Sequence, residues 1–246
     1  VGANDGMLHA FDVNTGVERF AFIPSNLMGQ LSQLTKQTYE HRFYVDGSPT
    51  VVDAYVGNNW KSVLVSGLNR GGQSVFALDV TNPANLNEAN ANNVFMWEFT
   101  DPDLGYTYSQ PAIIKLSTGT WAAVFGNGYN NTDGDFDNEV SSTGNAVLYV
   151  VNLATGALIK KIDTGIGFDD DPTNNERPNG LATVAPVDID SDNIADYVYA
   201  GDLFGNLWKF DLTSDNANQW DVAYTQGQNK LPLFTACYGN TCTSSN

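Results

Sequence analysis

GANDGMLHAFD, residues 2–12, returns near the other end of the chain as GDLFGNLWKFD, residues 201–211. Both read G-x-x-x-G-x-L-x-x-F-D. Weaker copies lie between them. GQSVFALDVTNP carries Val75, Phe76, Leu78 and Asp79 in the same order, and GNAVLYVVNLATG carries Leu148, Tyr149, Val151 and Asn152. Two copies end in matching turns, DVNTG (Asp12 to Gly16) and NLATG (Asn152 to Gly156). A second marker precedes the later copies: a proline opening an apolar run, at Pro49, Pro111 and Pro186. Proline suits the first residue of a strand, where its missing N–H costs no ladder bond. A motif recurring at long, regular spacing is the mark of a repeated supersecondary unit that must stack on its neighbours to bury its apolar faces.

Working outward from these anchors, short β-branched and aromatic runs alternate with Gly, Asn and Asp turns. One unit reads PAIIKL, WAAVFGN, AVLYVVNL and ALIKKID. The unit before it reads PTVVDAYV, KSVLVSGL, SVFALDV and VFMWEFT, and the one after it APVDI, DYVYAGD, NLWKFDL and WDVAYT. Four antiparallel strands per unit, repeated radially, make a β-propeller blade. The expected fold is therefore all-β, about three and a half blades of a larger propeller, with a single β-sandwich as the alternative. The expected divisions are a half blade over 1–25, a connecting helix and loop over 26–44, blades over 45–102, 103–166 and 178–230, and a tail over 231–246. The units exceed the ~40–50 residues of a lean blade, so some connections are inserts. SNLMGQLSQLTKQTYEH, residues 25–41, places Leu27, Leu31 and Leu34 at helical spacing, with Ser25 as the expected N-cap and the apolar face packed on the propeller. The tryptophans, Trp97 and Trp208 among them, read as blade packing.

The 246 residues carry 28 acidic and 11 basic side chains, a formal net charge of −17. That balance disfavours nucleic acid and anionic membrane surfaces and favours cations as partners. No signal peptide and no apolar run long enough to span a bilayer is seen, and the opening VGANDGMLHAFD reads as a strand already under way. Cys237 and Cys242 could close a small disulfide loop in an oxidising compartment, or stand as two free thiols.

DIDSDNIAD concentrates much of the charge. Asp188, Asp190 and Asp192 take positions 1, 3 and 5 of a loop, Ile194 offers a backbone carbonyl at position 7, and Asp196 takes position 9. Alternate spacing turns successive oxygens inward as a loop curls, and hard oxygens on a flexible loop suit Ca²⁺ better than Mg²⁺. Asn193 stands where glycine is usual and tolerates a left-handed backbone. Tyr199 stands where an EF-hand has its bidentate Glu, and strands rather than helices flank the loop, as in the calcium hairpins of integrin-like propellers, which it resembles. NTDGDFDNE offers a weaker second cluster, Asp133, Asp135, Asp137 and Glu139, more readily a solvated loop than an ion site. FDDDP, with Asp169 to Asp171, lacks ligand spacing and reads as a solvated loop. His9 and His41 have no nucleophile pattern around them. GNGYN (Gly126 to Asn130) reads as a turn, and no phosphate-cradling or zinc-protease motif is present. The chain is not expected to be an enzyme.

FIPSNL, YVDGSPTVVD, SGLNRGGQSVFALDVTNP, WAAVFGNGYN, LYVVNLATG and DIDSDNIADYVYAGDLFGNLWKFDL together resemble the C-terminal propeller of the PilC/PilY-type type IV pilus biogenesis factors and tip adhesins. The resemblance implies a modified seven-bladed propeller within a large exported protein, at the pilus tip or outer-membrane surface. It implies pilins or minor pilins and a host or abiotic surface as partners. It implies Ca²⁺ on Asp188, Asp190, Asp192, the Ile194 carbonyl and Asp196, setting a balance between pilus extension and retraction. No Arg-Gly-Asp triplet is present, so integrin binding is not expected. Two other functions compete. The repeat also resembles the tryptophan-docking repeats of quinoprotein dehydrogenases, which use pyrroloquinoline quinone; those place adjacent cysteines and a calcium ion at the quinone, whereas here the cysteines are separated. A generic envelope scaffold with a passive structural calcium is the other.

Overall fold

The computed structural model describes residues 1–133 and 140–236. A hairpin of β1 (Leu8–Phe11) and β2 (Glu18–Phe22) comes first, followed by antiparallel sheets that meander in chain order. β3 (Thr50–Val56), β4 (Asn59–Gly67), β5 (Val75–Asp79) and β6 (Phe95–Phe99) form one sheet, and β7 (Ala112–Lys115), β8 (Trp121–Gly126), β9 (Val147–Asn152) and β10 (Leu158–Asp163) the next. β11 (Ala185–Val187), β12 (Tyr197–Gly201), β13 (Asn206–Asp211) and β14 (Asp221–Val222) form the last. β3 lies beside β7 and β7 beside β11, so the first strands of successive sheets converge. The sheets are blades of a propeller, arranged as an open arc.

The middle strands are apolar on both faces, and the packing shows why. Alternate residues of a strand face opposite ways. On β4 and β5, Leu64, Phe76 and Leu78 join the core against the first hairpin, while Val63, Val65, Val75 and Ala77 join the core against the next blade. On β8 and β9, Ala123, Phe125, Val147, Tyr149 and Val151 face back, and Ala122, Val124, Leu148 and Val150 face forward. Each core is thus shared between two sheets. Trp208 is buried in the last core and donates its indole N–H to Asp202 at 2.9 Å; Trp97 donates to the Leu153 carbonyl of the following blade at 2.8 Å. Trp60 departs from the packing expectation, standing 64% exposed on the β3–β4 hairpin beside Tyr55.

The repeated F-D marker has a local cause. Asp12, Asp79, Asn152 and Asp211 each end, or immediately follow, the third strand of their unit, and each accepts backbone N–H bonds from the turn that follows: from Asn14 and Thr15, from Thr81, from Ala154 and Thr155, and from Thr213. These are Asx turns, for which Asp and Asn are equally suited. The glycine ending the second strand of a full blade, and Gly2, which bridges to Leu8 ahead of the first hairpin, have a tertiary cause. A Cβ on Gly2, Gly67 or Gly126 would lie 2.4, 2.7 or 2.5 Å from Val45, Thr107 or Leu181, the segments that lead into the next blade. GNGYN is more than a turn: buried Asn127 donates to the carbonyls of Asp103 (3.0 Å) and Asn145 (2.9 Å) and accepts from the amides of Val147 and Leu181, each at 3.0 Å.

Three further expectations need correction. Residues 25–35 form a 3-10 helix, with Pro24 rather than Ser25 in the capping position. Its start is held from outside: the Glu98 carboxylate of β6 accepts from the Ser25 amide (3.0 Å), the Ser25 hydroxyl (2.5 Å) and the Asn26 amide (3.2 Å). A carboxylate at a helix start satisfies orphan N–H groups and meets the positive dipole end. The helix still packs on the first core through Leu27, Leu31 and Leu34. WDVAYT does not run as one strand: only Asp221–Val222 pairs in the blade, and Tyr224–Gln226 (β15) turns through Gly227 (φ 65°) to pair with Asn229–Leu231 (β16), before Phe234–Thr235 (β17) returns to the far end of β13.

The third concerns FDDDP. Asp171 is not solvated; its side chain is 1% exposed and carries the Arg177 guanidinium at 2.8 Å. That bond, helped by the Thr173 and Arg177 amides, holds the Asp171 carboxyl well below the usual carboxylate range. A depressed carboxyl stabilises the fold above its unfolded pKa, ~3.9, and loses that contribution as pH falls through its folded value. Asp171→Asn is accordingly expected to lower the thermal midpoint at neutral pH, with the gap from the parent closing below about pH 4. A midpoint series against pH checks this; a gap constant down to acid would show that the charge is not its source.

Candidate metal centre

The acidic hairpin joins β11 to β12 at the converging end of the last blade's sheet. Its base is anchored on three sides. The Asp196 amide donates to the Val187 carbonyl at 2.9 Å, and the Asp196 carbonyl accepts from Leu212 at 2.8 Å. The amide of buried Ala195 donates to the Lys115 carbonyl of β7 at 3.0 Å, so the loop rests on the neighbouring blade as well as its own.

From that base the loop curls tightly. Asn193 takes the left-handed conformation expected of it (φ 67°), and Ser191 takes it too (φ 67°). The amides turn inward onto carboxylates: Ser191 and Asn193 donate to Asp188 at 2.7 and 2.8 Å, and Ile189 donates to Asp196 at 2.7 Å. Asp192 donates to Asp190 at 3.2 Å, and Ile194 to Asp192 at 2.7 Å.

Asp188, Asp190 and Asp196 each bring one carboxylate oxygen within 4.8 Å of the others. Asp192 stands outside this trio, its Oδ1 engaged by the Ile194 amide. Ile194 follows at its expected position before the anchored Ala195. Among the described residues, none of the four aspartates pairs with a lysine, arginine or histidine. The repulsion is felt: the negative charge of Asp192, with desolvation and the charges of Asp196 and Asp188, pushes the Asp190 carboxyl above its usual range. A group of hard anionic oxygens with no protein cation is chemically suited to a divalent ion such as Ca²⁺.

The other candidate positions are described only in part. Of the second acidic cluster, Asp133 accepts from Gln73 through its backbone carbonyl (2.9 Å) and from the Tyr106 hydroxyl (3.4 Å). Asp135, Asp137 and Glu139 lie outside the described residues, as do Cys237 and Cys242. His9 bridges Glu18 (2.6 Å) and Asp5 (2.9 Å); the Glu18 bond leads in raising its pKa.

The family model of the PilY1 β-propeller domain matches residues 1–233. The chain belongs to the PilY1 propeller family. This PilY1-family propeller is 48% identical over 242 residues to the type IV pilus biogenesis factor PilY1 homolog of Xylella fastidiosa, an alignment covering 96% of this chain and 15% of the relative. It is 44% identical over 231 residues to the type IV pilus biogenesis factor PilY1 of Pseudomonas aeruginosa PAO1, covering 90% of this chain and 17% of the relative. The crystal structure of the Pseudomonas aeruginosa PilY1 C-terminal domain matches with a TM-score of 0.75 at 38% identity, over 96% of this chain and 45% of that one. The PilY1-family segment therefore spans a minor part of each curated relative and less than half of the crystallised domain.

Proposed function

We propose that this propeller segment serves a type IV pilus biogenesis factor as a calcium-binding element that supports pilus assembly, the balance of extension and retraction, and surface adhesion. The observation that carries the reading is the trio of carboxylates with no counter-ion among the described residues, on a hairpin bolted to the adjacent blade. Ca²⁺ would be held by Asp188, Asp190 and Asp196, with Asp192 and the Ile194 carbonyl completing the set. A cation there cancels the repulsion that burdens Asp190 and fixes one hairpin shape against β7. A partner surface can read that shape.

The relatives' names support the pilus context, and pilins or minor pilins at the pilus tip, together with a host or abiotic surface, are the partners this reading takes. The site of action is outside the cell, at the pilus tip or outer-membrane surface. No helix among the described residues is long and apolar enough to cross a membrane. The relatives are named as biogenesis factors, which supports a non-catalytic role.

The test is Asp196→Ala in the full parent protein, scored by pilus number and twitching. Reduced or calcium-insensitive piliation is the expected result. Normal pili and motility, with calcium binding lost in the purified variant, would reduce the ion to a passive structural part and overturn the proposed role.

A further inference from the structure

The last blade carries an excursion that the propeller itself does not need. Its chain quits the sheet after Val222, folds out as the β15–β16 hairpin and comes back as β17 on the far end of β13. In the two blades before it, the fourth strands β6 and β10 pair along their length instead. The hairpin is fastened to its neighbour. Lys230 Nζ donates to the Asp163 carbonyl at the end of β10 at 2.6 Å and lies 2.6 Å from Asp221 Oδ1. Between this arch, the end of β10 and the start of β13 lies a cleft of about 730 Å³. Clefts that hold small molecules run from ~300 to 1,000 Å³.

The lining selects a ligand class. Asp163 is engaged, accepting both contacts of the Asn145 amide group (2.9 and 3.0 Å) and the Gly165 amide (2.7 Å). Asp170 Oδ2 accepts the Gly167 amide at 3.1 Å. Lys230 stands in the same cleft. A cationic ligand would meet the ammonium and an anionic one the carboxylates, so a neutral ligand suits the charges best. Hydrogen-bonding capacity is plentiful. Asp170 Oδ1 and the side-chain amides of Gln228 and Asn229 have no partner among the described residues. Lys230 has three N–H donors and places two of them. The Thr235 hydroxyl donates to Asn206 Oδ1 at 2.7 Å and keeps its lone pairs. Donors and acceptors thus stand together beside the apolar side chains of Ile166, Leu231 and Pro232. A sugar ring offers the matching mixture, hydroxyls that both donate and accept on a frame with apolar C–H faces.

We propose that this cleft binds a neutral saccharide, held by Asp170, Gln228, Asn229 and Lys230. The excursion then has a purpose: it carries three of those four side chains out of the blade and sets them against the preceding one. The cleft adjoins Asn206, at the start of β13, whereas the acidic hairpin is bonded to Leu212, just past its end. The two sites lie at opposite ends of one blade, and the inference rests neither on calcium nor on the pilus role.

The experiment screens the full parent protein, with calcium and with chelator, against an array of neutral mono- and oligosaccharides of glucose, galactose, mannose and N-acetylglucosamine. Calorimetry then measures each sugar that binds. At least one is expected to bind in both conditions. Asp170→Ala and Asn229→Ala, both at exposed positions, should each weaken it about tenfold, the worth of one hydrogen bond. Asn59→Ala, on the distant β3–β4 hairpin, should leave it unchanged. Deoxy forms of the bound sugar should bind more weakly, because they leave polar groups of the site unpaired. A thermal midpoint shows that each variant is folded, and either of the two cleft variants suffices. No binding across the array at millimolar sugar overturns the proposal, as does binding that both cleft variants leave intact. Binding that needs calcium and is lost in Asp190→Ala would place the sugar on the acidic hairpin and also overturn it.

Discussion

Gly126→Ala is expected to cost about 3 kcal/mol, a fall in Tm of roughly 6–12 °C for a chain of this size. The added methyl would lie 2.5 Å from the Leu181 Cβ, 2.7 Å from the Leu181 carbonyl oxygen and 2.8 Å from that of Ala182. Flexible side chains can swing away from such a clash; backbone cannot. The opposing segment is also pinned, since Leu181 donates to Asn127 Oδ1 at 3.0 Å and accepts from the Gly128 amide at 3.0 Å. Relief would require parting two blades that share a close-packed core. Gly201 is the internal control. It ends the second strand of its own blade, yet a Cβ there would meet nothing nearer than the Asn206 carbonyl at 3.9 Å. Gly201→Ala should stay within about 0.5 kcal/mol of the parent. Urea unfolding of the two variants checks the pair, and equal losses would show that the cost comes from strand glycines as such rather than from the blade contact.

Asp190→Ala is expected to remove the stabilisation that calcium confers, about 2.7 kcal/mol at a concentration one hundred times the dissociation constant. Without calcium the same variant should be no less stable than the parent. The sign follows from Asp190's raised pKa. A carboxyl whose folded pKa exceeds its unfolded one is best tolerated when protonated. Its favourable contribution is complete below about pH 3.9 and is lost as pH rises through the raised folded value. At neutral pH the parent therefore carries a repulsive charge in the hairpin that the alanine variant lacks. Thermal scans with calcium and with chelator separate the two effects, and calorimetry reads the binding directly. Undiminished calcium binding by Asp190→Ala would sink the ligand assignment.

The repeat was legible because its causes lie within a few residues. An Asp or Asn ending the third strand makes its turn with an amide two or three residues on, and the same apolar alternation recurs wherever a strand is sandwiched between two sheets. The elements that escaped depend on partners the local pattern does not name. The Ser25 helix start is held by Glu98 from another blade, and helical spacing of Leu27, Leu31 and Leu34 does not distinguish a 3-10 from an α-helix over so short a run. WDVAYT kept its apolar character past Val222, where pairing in the blade stops and the chain leaves for the hairpin that turns at Gly227. At the candidate centre, alternate acids announced the loop, and Asn193 announced one of its left-handed residues. Ser191 did not, nor did the placing of Asp192 outside the carboxylate trio, which is set by how tightly the curl closes. Asp171 was hidden inside a charge run; its arginine, six residues on in a polar stretch, was the signal that separated it from its solvated neighbours.

Neighbouring positions on one central strand answer to different constituencies. Ala122 and Val124 of β8 belong to the core shared with the last blade, Ala123 and Phe125 to the core shared with the preceding one. Substitutions along that strand should drift as two interleaved sets, odd and even, each keeping pace with a different sheet. Adjacent residues in the chain would then carry separate evolutionary histories, while residues far apart in the chain share one.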